Sequence, residues 1–515
     1  MKNNFTIIYM VFAISSMSVF GQTYTQSSGT VTKTSQIYGS TTADESAIKV
    51  TGGTLKLTTC AVTKSGAASN MDNSNFYGLN AAVLNYGSSA VLNMTGGTIT
   101  TSGAGANAFY SYAGASTISD VTINCSASSS RGLYATGGGS ITASNITATT
   151  AGANSSVIAT DRGGGTITVT GGEFTANGNS SAAAYSTGTI TCNNATLVSN
   201  GAEALVIEGS NNINLNNCTT EANYNKWGAM VYQSMSGDAS GVDGYLTITD
   251  GTFKYKGTSG GMFYNTNSTA YITLKGVTLT NSCDTLVRCI KGSWGGSSAS
   301  SGGITHLTGD GQTMSGLIHF DANSKGYITL QNSSVFTGAI NNSNTASLVT
   351  LTMDAGSTWT LTANSHINGL ITNPGITGTT VTNITGNGFN VYYTISTNSS
   401  LGGKTYTLVG GGYLLPEGTT SVNSSKEDIT TLSLTQNSPN PVTTSTTISY
   451  YVPSTSSILL SVYNSTGLIV ETIVNERQIE GNHTIAWTPQ LPSGIYICIL
   501  RSNGKLDSKR IVISK

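Results

Sequence analysis

The chain has 515 residues, a formal net charge of −1, 9% charged and 38% hydrophobic residues, and 62 glycines against 7 prolines. Charged residues this far below the usual quarter exclude an ordinary helical enzyme and favour many short strands joined by tight turns. No basic stripe marks a nucleic-acid surface, and the regular spacing of the apolar residues excludes a disordered chain.

The N-terminus reads MKNNFTIIYMVFAISSMSVFGQ. Lys2, an apolar stretch over 5–20 and the small residues Val19 and Gly21 predict a secretory signal peptide over 1–21, cut before Gln22. The apolar stretch is too short, and its flank too weakly basic, for a transmembrane anchor. No later segment is expected to span a membrane as a helix.

From residue 48 onward one pattern recurs. IKVTGGTLKL, LNMTGGTITT, ITVTGGEFTA, ITCNNATLVS, LTITDGTFKY and ITLQNSSVFT each alternate apolar and polar residues, bend, and alternate again. The bend column runs through Gly52, Gly96, Asn145, Gly171, Asn194, Asn217, Asp250, Gly276 and Asn332, with Asp120 and Gly309 as weaker members. All are residues that tolerate a left-handed backbone. The steps cluster at about 25 residues, the mark of a repeat architecture; the longer step from Gly52 to Gly96 has room for an atypical turn. A further strand precedes each unit, as in NAFYS (107–111), RGLYA (131–135), SSVIA (155–159) and EALVI (203–207). Three short strands per period predict an all-β fold: a right-handed parallel β-helix of about 12 coils, a rod on the order of 60 Å long. The glycines of GGGTITVTGGEFTANG (163–178) therefore turn the chain. A phosphate-cradling loop needs a helix after it, and none follows.

This body, about residues 25–415, resembles right-handed β-helix passengers, a group that includes polysaccharide lyases and surface adhesins. MDAGSTWTLTANSHINGL (353–370) is similar to the terminal repeats of autotransporter-type adhesin passengers. The resemblance is one of architecture and carries little about activity.

Seven cysteines, Cys60, Cys125, Cys192, Cys218, Cys283, Cys289 and Cys498, form no CxxC pair and no metal-ligand spacing. Cys192 falls where other repeats carry Val169 or Leu274, the place of a buried small hydrophobe. Cys283 and Cys289 are the one pair near enough to bridge a turn. No cofactor and no metal are expected.

Lyases on this fold place acidic residues, often binding calcium, on an outer sheet face with a basic residue nearby; the charges of this body are scattered, with no paired-Asp or histidine motif of the β-helix hydrolases. The weak candidates are Asp161 and Arg162, after SVIAT, and Glu208, after ALVI. Two coils apart, Asp161 and Glu208 would stand roughly 10 Å from each other, at or beyond the limit of an inverting pair; solvated edge charges are the plainer reading. His306, His319 and His366 are widely spaced and read as surface or ladder histidines. Tyr110, Tyr134 and Tyr185 occupy similar places in successive strands, and Tyr232 and Tyr264 repeat them further along. Facing outward they would make an aromatic ladder for sugar rings; facing inward, a core stack. Asp284-Thr285-Leu286 resembles the short O-glycosylation acceptor motif of Bacteroidetes.

After LLPEG (414–418) a polar linker over 416–431 leads to short alternating strands, ISYYV, ILLSVYN, IVETI, HTIAW, IYICIL and KRIVIS, which predict a small β-sandwich over 432–515. SPNPVTTSTTISYYVP, SVYNSTGLIVETI, GNHTIAW, LPSGIYICIL and KRIVISK resemble, in order and spacing, the type A C-terminal sorting domain of the type IX secretion system of Bacteroidetes. The resemblance implies the type IX machinery as a partner. It also implies a sorting signal in the terminal strand (Lys509, Arg510, Ile511, Val512, Ile513, Ser514 and Lys515) and release from, or attachment to, the outer face of the outer membrane. No catalysis is expected of this domain, His483 included. For the passenger the reading is an adhesin or glycan-binding structural module, with a polysaccharide or host glycan as partner. A polysaccharide lyase or glycoside hydrolase is the alternative, and a plain structural spacer the reading favoured if the tyrosines are buried.

Overall fold

The computed structural model describes residues 22–294, 302–417 and 432–514. The signal-peptide expectation, most of the linker and Lys515 lie outside the described residues. The chain forms two compact units, 1–417 and 418–515.

The first unit is a parallel β-helix of about 15 turns. Its strands stack into a 20-stranded sheet, a 12-stranded sheet and, toward residue 417, a 9-stranded sheet, here called sheets I, II and III. Gly165–Ala176 shows how the alternation builds a coil. It pairs in register with Gly139–Thr150 on one side and with Thr189–Asn193 and Thr196–Ser199 on the other. Ile141, Ile167, Ile190 and Ile213 thus form one inward column, all buried, while Thr142, Thr168 and Thr191 face out. Each such isoleucine contributes about 1.5–3 kcal/mol of hydrophobic stabilisation. Beyond the bend Phe174 turns inward again and is fully buried.

The bend is made by a left-handed residue in each coil, followed in some coils by a second residue at positive φ, as at Gly97, Gly172, Gly251 and Ser333. Gly96, Asp120, Asn145, Gly171, Asn194, Asn217, Asp250, Gly276 and Asn332 all have φ between 51° and 68°. Two members of the predicted column are corrected by register. Thr58 pairs Thr95 and Cys60 pairs Gly97, so the partner of Gly96 is Thr59, at φ 50°, and not Gly52. Likewise Asp310 pairs Gln331, which puts Gly311, at φ 60°, in the bend instead of Gly309. A β-branched threonine in this conformation is costly by itself; Ser35 at φ 52°, whose hydroxyl lies 3.0 Å from that of Thr59, takes the same place one coil earlier. The long step before Gly96 hides no extra turn, because Gly53–Lys64 pairs directly with Ala90–Thr101. It holds an inserted helix, Met71–Tyr77. The added turns relative to the expected 12 lie at the ends: Tyr24–Gln26 already pairs Ile48–Val50, and parallel pairing continues to Tyr413–Pro416. There Tyr406–Val409 and Tyr413–Pro416 meet antiparallel. In the segment similar to adhesin terminal repeats, Trp359 is fully buried and its Nε1 donates to the Gly338 carbonyl at 3.0 Å.

All seven cysteines are free. Cys192 stacks between Val169 and Leu215 in the core. Cys283 and Cys289 do not bridge: the extended strand Thr285–Cys289 runs between them, and four residue steps carry Cys289 about 13 Å along the strand, against a disulfide reach of about 7 Å.

The second unit holds two antiparallel sheets. One orders Ser433–Leu434, Thr446–Val452 and Gly481–Trp487; the other orders Ile469–Gln478, Ser456–Tyr463, Gly494–Ser502 and Lys505–Ile513. Val452, Ile458, Leu460, Cys498, Leu500, Ile511 and Ile513 form its core. In the terminal strand Lys509 and Arg510 stay at the surface while Ile511 and Ile513 anchor it.

Candidate functional site

The outer face of sheet II carries the chemistry. Its strands are buried on both faces, as in Leu133–Thr136, where all four residues are covered. Leu133 and Ala135 belong to the β-helix core; Tyr134 and Thr136 point out and are covered by other chain. The parallel register aligns Leu84, Tyr110, Tyr134, Ala159, Tyr185, Val206, Met230, Tyr264, Arg288 and His319 in one outward column. Four of the five expected tyrosines therefore share a column. Tyr232 does not: Met230 stands there, and Tyr232 pairs Glu208 in the neighbouring column.

The column has two halves. Over the first lies the inserted helix Met71–Tyr77, opened by Asn70, whose side chain accepts from the Asn73 N–H, and closed by Gly78 at φ 70°. Its carbonyls and Asn75 capture the strand beneath. The Tyr110 hydroxyl donates to the Asn75 carbonyl at 2.6 Å, Thr136 Oγ1 to the Phe76 carbonyl at 2.9 Å, and Arg131 Nη1 to Asn75 Oδ1 at 2.8 Å. Tyr110 and Tyr134 are fully buried, so neither takes up a ligand. The expectation offered an exposed ladder or an inward stack; these two rings face outward and are sealed from above.

The second half opens into a groove of about 630 Å³. It runs along the rod past the strands that carry Arg131, Tyr185, Val206, Met230 and Tyr264. The six strands from the one after Arg131 to the one of Tyr264 are separated by five spacings of about 4.8 Å, a length of about 24 Å. One end is aromatic. Trp227 and Tyr264 stack with ring centroids 3.9 Å apart and planes within 4°, and Tyr232 meets Trp294 at 5.0 Å, tilted 56°. The other end is polar, with Asn154, Ser156, Ser180 and Arg131. Glu203 and Lys226 stand along one wall.

Beside the groove lie two hydrogen-bonded clusters, each built on one of the predicted site residues. Asp161 and Glu208 are both buried and, through Thr187, occupy one column two coils apart, as the sequence implied. Asp161 accepts from the Tyr134 hydroxyl at 2.7 Å and the Arg162 N–H at 2.8 Å, and lies 3.9 Å from Arg131 Nη2. Glu208 Oε2 accepts from Tyr185 at 2.5 Å and Tyr232 at 2.8 Å, and Oε1 accepts from Ser234. Burial raises the Asp161 pKa against the opposing pull of Arg131 and Tyr134. Burial also raises the Tyr185 and Tyr232 phenols, with the Glu208 charge adding to it, so both remain protonated donors. For Arg131, burial lowers the pKa, but Tyr134 and Asp161 outweigh it and the guanidinium stays charged. Neither Asp161 nor Glu208 lines the groove: both lie on the same outward face, two residues along the strand from the column, engaged by phenols.

Arg162 is not part of this arrangement. It is exposed, lies 3.7 Å over the Phe76 ring and pairs Asp238 at 2.6 Å. His306 stacks between Tyr271 and Tyr327 at 4.5 Å on each side, on the outer face of sheet I, and burial lowers its pKa. His366 stacks on Tyr392 at 4.7 Å, with Nδ1 3.2 Å from Glu417. Thr285, of the motif similar to an O-glycosylation acceptor, is half-buried in a sheet II strand. Among the described residues no group of three or more His, Cys, Asp or Glu side chains is placed to hold a metal ion.

The sequence reading missed the residues that line the groove best. Arg131, Ser156, Ala182, Glu203 and Trp227 each stand three residues before the outward column, and all five line the groove. The signal was present in RGLYA (131–135), SVIAT (156–160) and EALVI (203–207), whose first residues vary while the third is always Leu or Ile.

Residues 438–514 match the family described as secretion system C-terminal sorting domain. No curated protein matches the chain. The protein carries a type IX secretion sorting domain and is exported by that route, to be secreted and attached at the cell surface. No helix among the described residues is long and apolar enough to cross a membrane.

Proposed function

We propose that the β-helix is a glycan-binding module displayed at the cell surface, an adhesin whose site is the groove on sheet II. The aromatic end of the groove carries this reading. Half-buried Trp227, backed by the buried Tyr264 ring, and exposed Trp294, set against the buried Tyr232, present rigid apolar faces in a long cleft that also has a polar end. Ring faces suit the C–H faces of sugars, and a cleft about 24 Å long suits a chain of several sugar units rather than one. Phenols held by Glu208 keep Tyr185 and Tyr232 from rotating away, so little order is lost on binding. The test is titration of the full chain with soluble neutral and charged polysaccharides. At least one should bind, and Trp227→Ala should weaken it by about 2 kcal/mol, as removal of a central aromatic anchor does. No binding to any polymer, or binding indifferent to Trp227, would sink the reading.

A polysaccharide-cleaving enzyme is the second reading, and Glu203 is the observation in its favour: a half-buried carboxyl on the groove wall whose pKa burial raises, the character of a general acid. Cleavage by hydrolysis needs a second carboxylate, and Asp161 and Glu208 are held by phenols beside the groove. Release of new reducing or unsaturated ends from any polymer, with or without calcium, would move the assignment to an enzyme.

A further inference from the structure

We infer that the groove selects an acidic glycan, one whose sugar units carry carboxylates, and that Arg131 is the residue that reads the charge. The inference rests on the groove being the glycan site and names the class of glycan it takes.

The charges on the groove wall are Arg131, Lys226 and Glu203. Two cations thus stand against one carboxyl, whose charged form burial disfavours. Asp161 is the buried counter-charge of Arg131 and offsets part of its field, but its hydrogen bonds are made elsewhere. Asp161 Oδ2, the oxygen nearest Arg131, already accepts the Tyr134 hydroxyl at 2.7 Å and stands 3.9 Å from Nη2, beyond hydrogen-bond range. Glu208 spends both oxygens on Tyr185, Tyr232 and Ser234.

Arg131 is held as a recognition group would be. Its Nη1 donates to Asn75 at 2.8 Å and its guanidinium lies 4.6 Å over the Tyr134 ring, so two partners from different elements fix its plane. A guanidinium has five N–H donors; Nη1 is spent on Asn75 and Nη2 stands 3.9 Å from Asp161, and the 13% of the side chain left exposed meets the polar end of the groove. A planar, oriented fork of donors matches the two oxygens of a carboxylate better than it matches neutral hydroxyls. Lys226 adds a mobile positive charge on the same wall, near the aromatic end. The groove then reads a chain at two places: apolar sugar faces on Trp227 and Tyr264, and a carboxylate about four coils away on Arg131.

The experiment titrates the full chain with polygalacturonate and with the same polymer after methyl esterification, which removes the charge and keeps the rings. The charged form should bind at least about tenfold more tightly, the size expected of one good charge-assisted hydrogen-bonded contact, and added salt should narrow the gap. Arg131→Gln should abolish the preference, so that charged and esterified polymers bind the variant equally; Arg131→Lys should keep only part of it. The wild-type comparison needs no variant, so it stands even if Arg131→Gln fails to fold. Equal binding of both forms overturns the acidic-glycan inference while leaving glycan binding in place. A preference for sulfated over carboxylated polymers overturns it as well. Failure to bind either form or any neutral polysaccharide removes the glycan reading itself.

Discussion

The two halves of the outward column on sheet II differ in what lies over them, not in their own strands. Tyr110 and Tyr134 stand in the same register as Tyr185 and Tyr264. The first pair is sealed under the helix Met71–Tyr77; the second pair looks into the groove. A β-helix offers every coil the same outward position, and insertions between strands decide which coils keep it for a ligand. At the boundary stands Arg131, held by the helix through Asn75 and facing the groove with its remaining donors.

The largest expected effect tests whether the sealed half is a desolvated electrostatic unit. Asp161→Ala leaves the Arg131 guanidinium without its buried counter-charge, which should cost about 3 kcal/mol in a urea or thermal unfolding experiment. Asp238→Ala removes the exposed partner of Arg162 and should cost less than about 1 kcal/mol. Equal losses at the two positions would erase the distinction between sealed and open charge pairs.

A smaller effect probes the lid itself. A side chain at Gly78 would sit at φ 70° and bring a Cβ within 2.7 Å of the Tyr110 ring. Gly78→Ala should therefore cost about 1–3 kcal/mol through overpacking and backbone strain together. Gly237, at φ 89° with nothing within 4 Å of the added carbon, should cost about 1 kcal/mol through backbone strain alone when changed to alanine. If Gly237→Ala proves the more harmful, the helix is not the tightly fitted cover described here.

The smallest effect belongs to the open half and is read by pH. Burial raises the Glu203 pKa above its ordinary 4.5. A carboxyl whose folded pKa is raised contributes stability fully present below the unfolded pKa and lost as pH rises through the folded one. Wild type should therefore lose stability relative to Glu203→Gln as pH rises above about 4.5. Parallel pH profiles for the two proteins would show Glu203 to be solvated and the groove wall more open than its burial implies.

Sequence alone determined the parts governed by neighbours along the chain. Alternation of apolar and polar residues with period two needs only the pleat of a strand, so Ile167, Val169 and Phe174 could be assigned to the core and Thr168 to the surface. A bend that demands a left-handed residue is visible wherever glycine, asparagine or aspartate supplies it. It is invisible where Thr59 or Ser35 adopts the same φ, because there the stacked coil enforces what the side chain resists. The sorting domain was legible because its blocks keep their order and spacing.

Only the tertiary structure decided what covers each outward position. The helix is seven residues long, too short to announce itself by periodicity, and it holds because it lies on Tyr110 and Thr136, far along the chain. Arg131 reaches Asn75 across 56 residues, and Arg162 reaches Asp238 across 76. Contacts of that separation are set by how many residues each coil spends before returning to register, and no local pattern records that sum. The same physics explains why Asp161 and Glu208 could be placed in one column from sequence, yet their phenol partners could not.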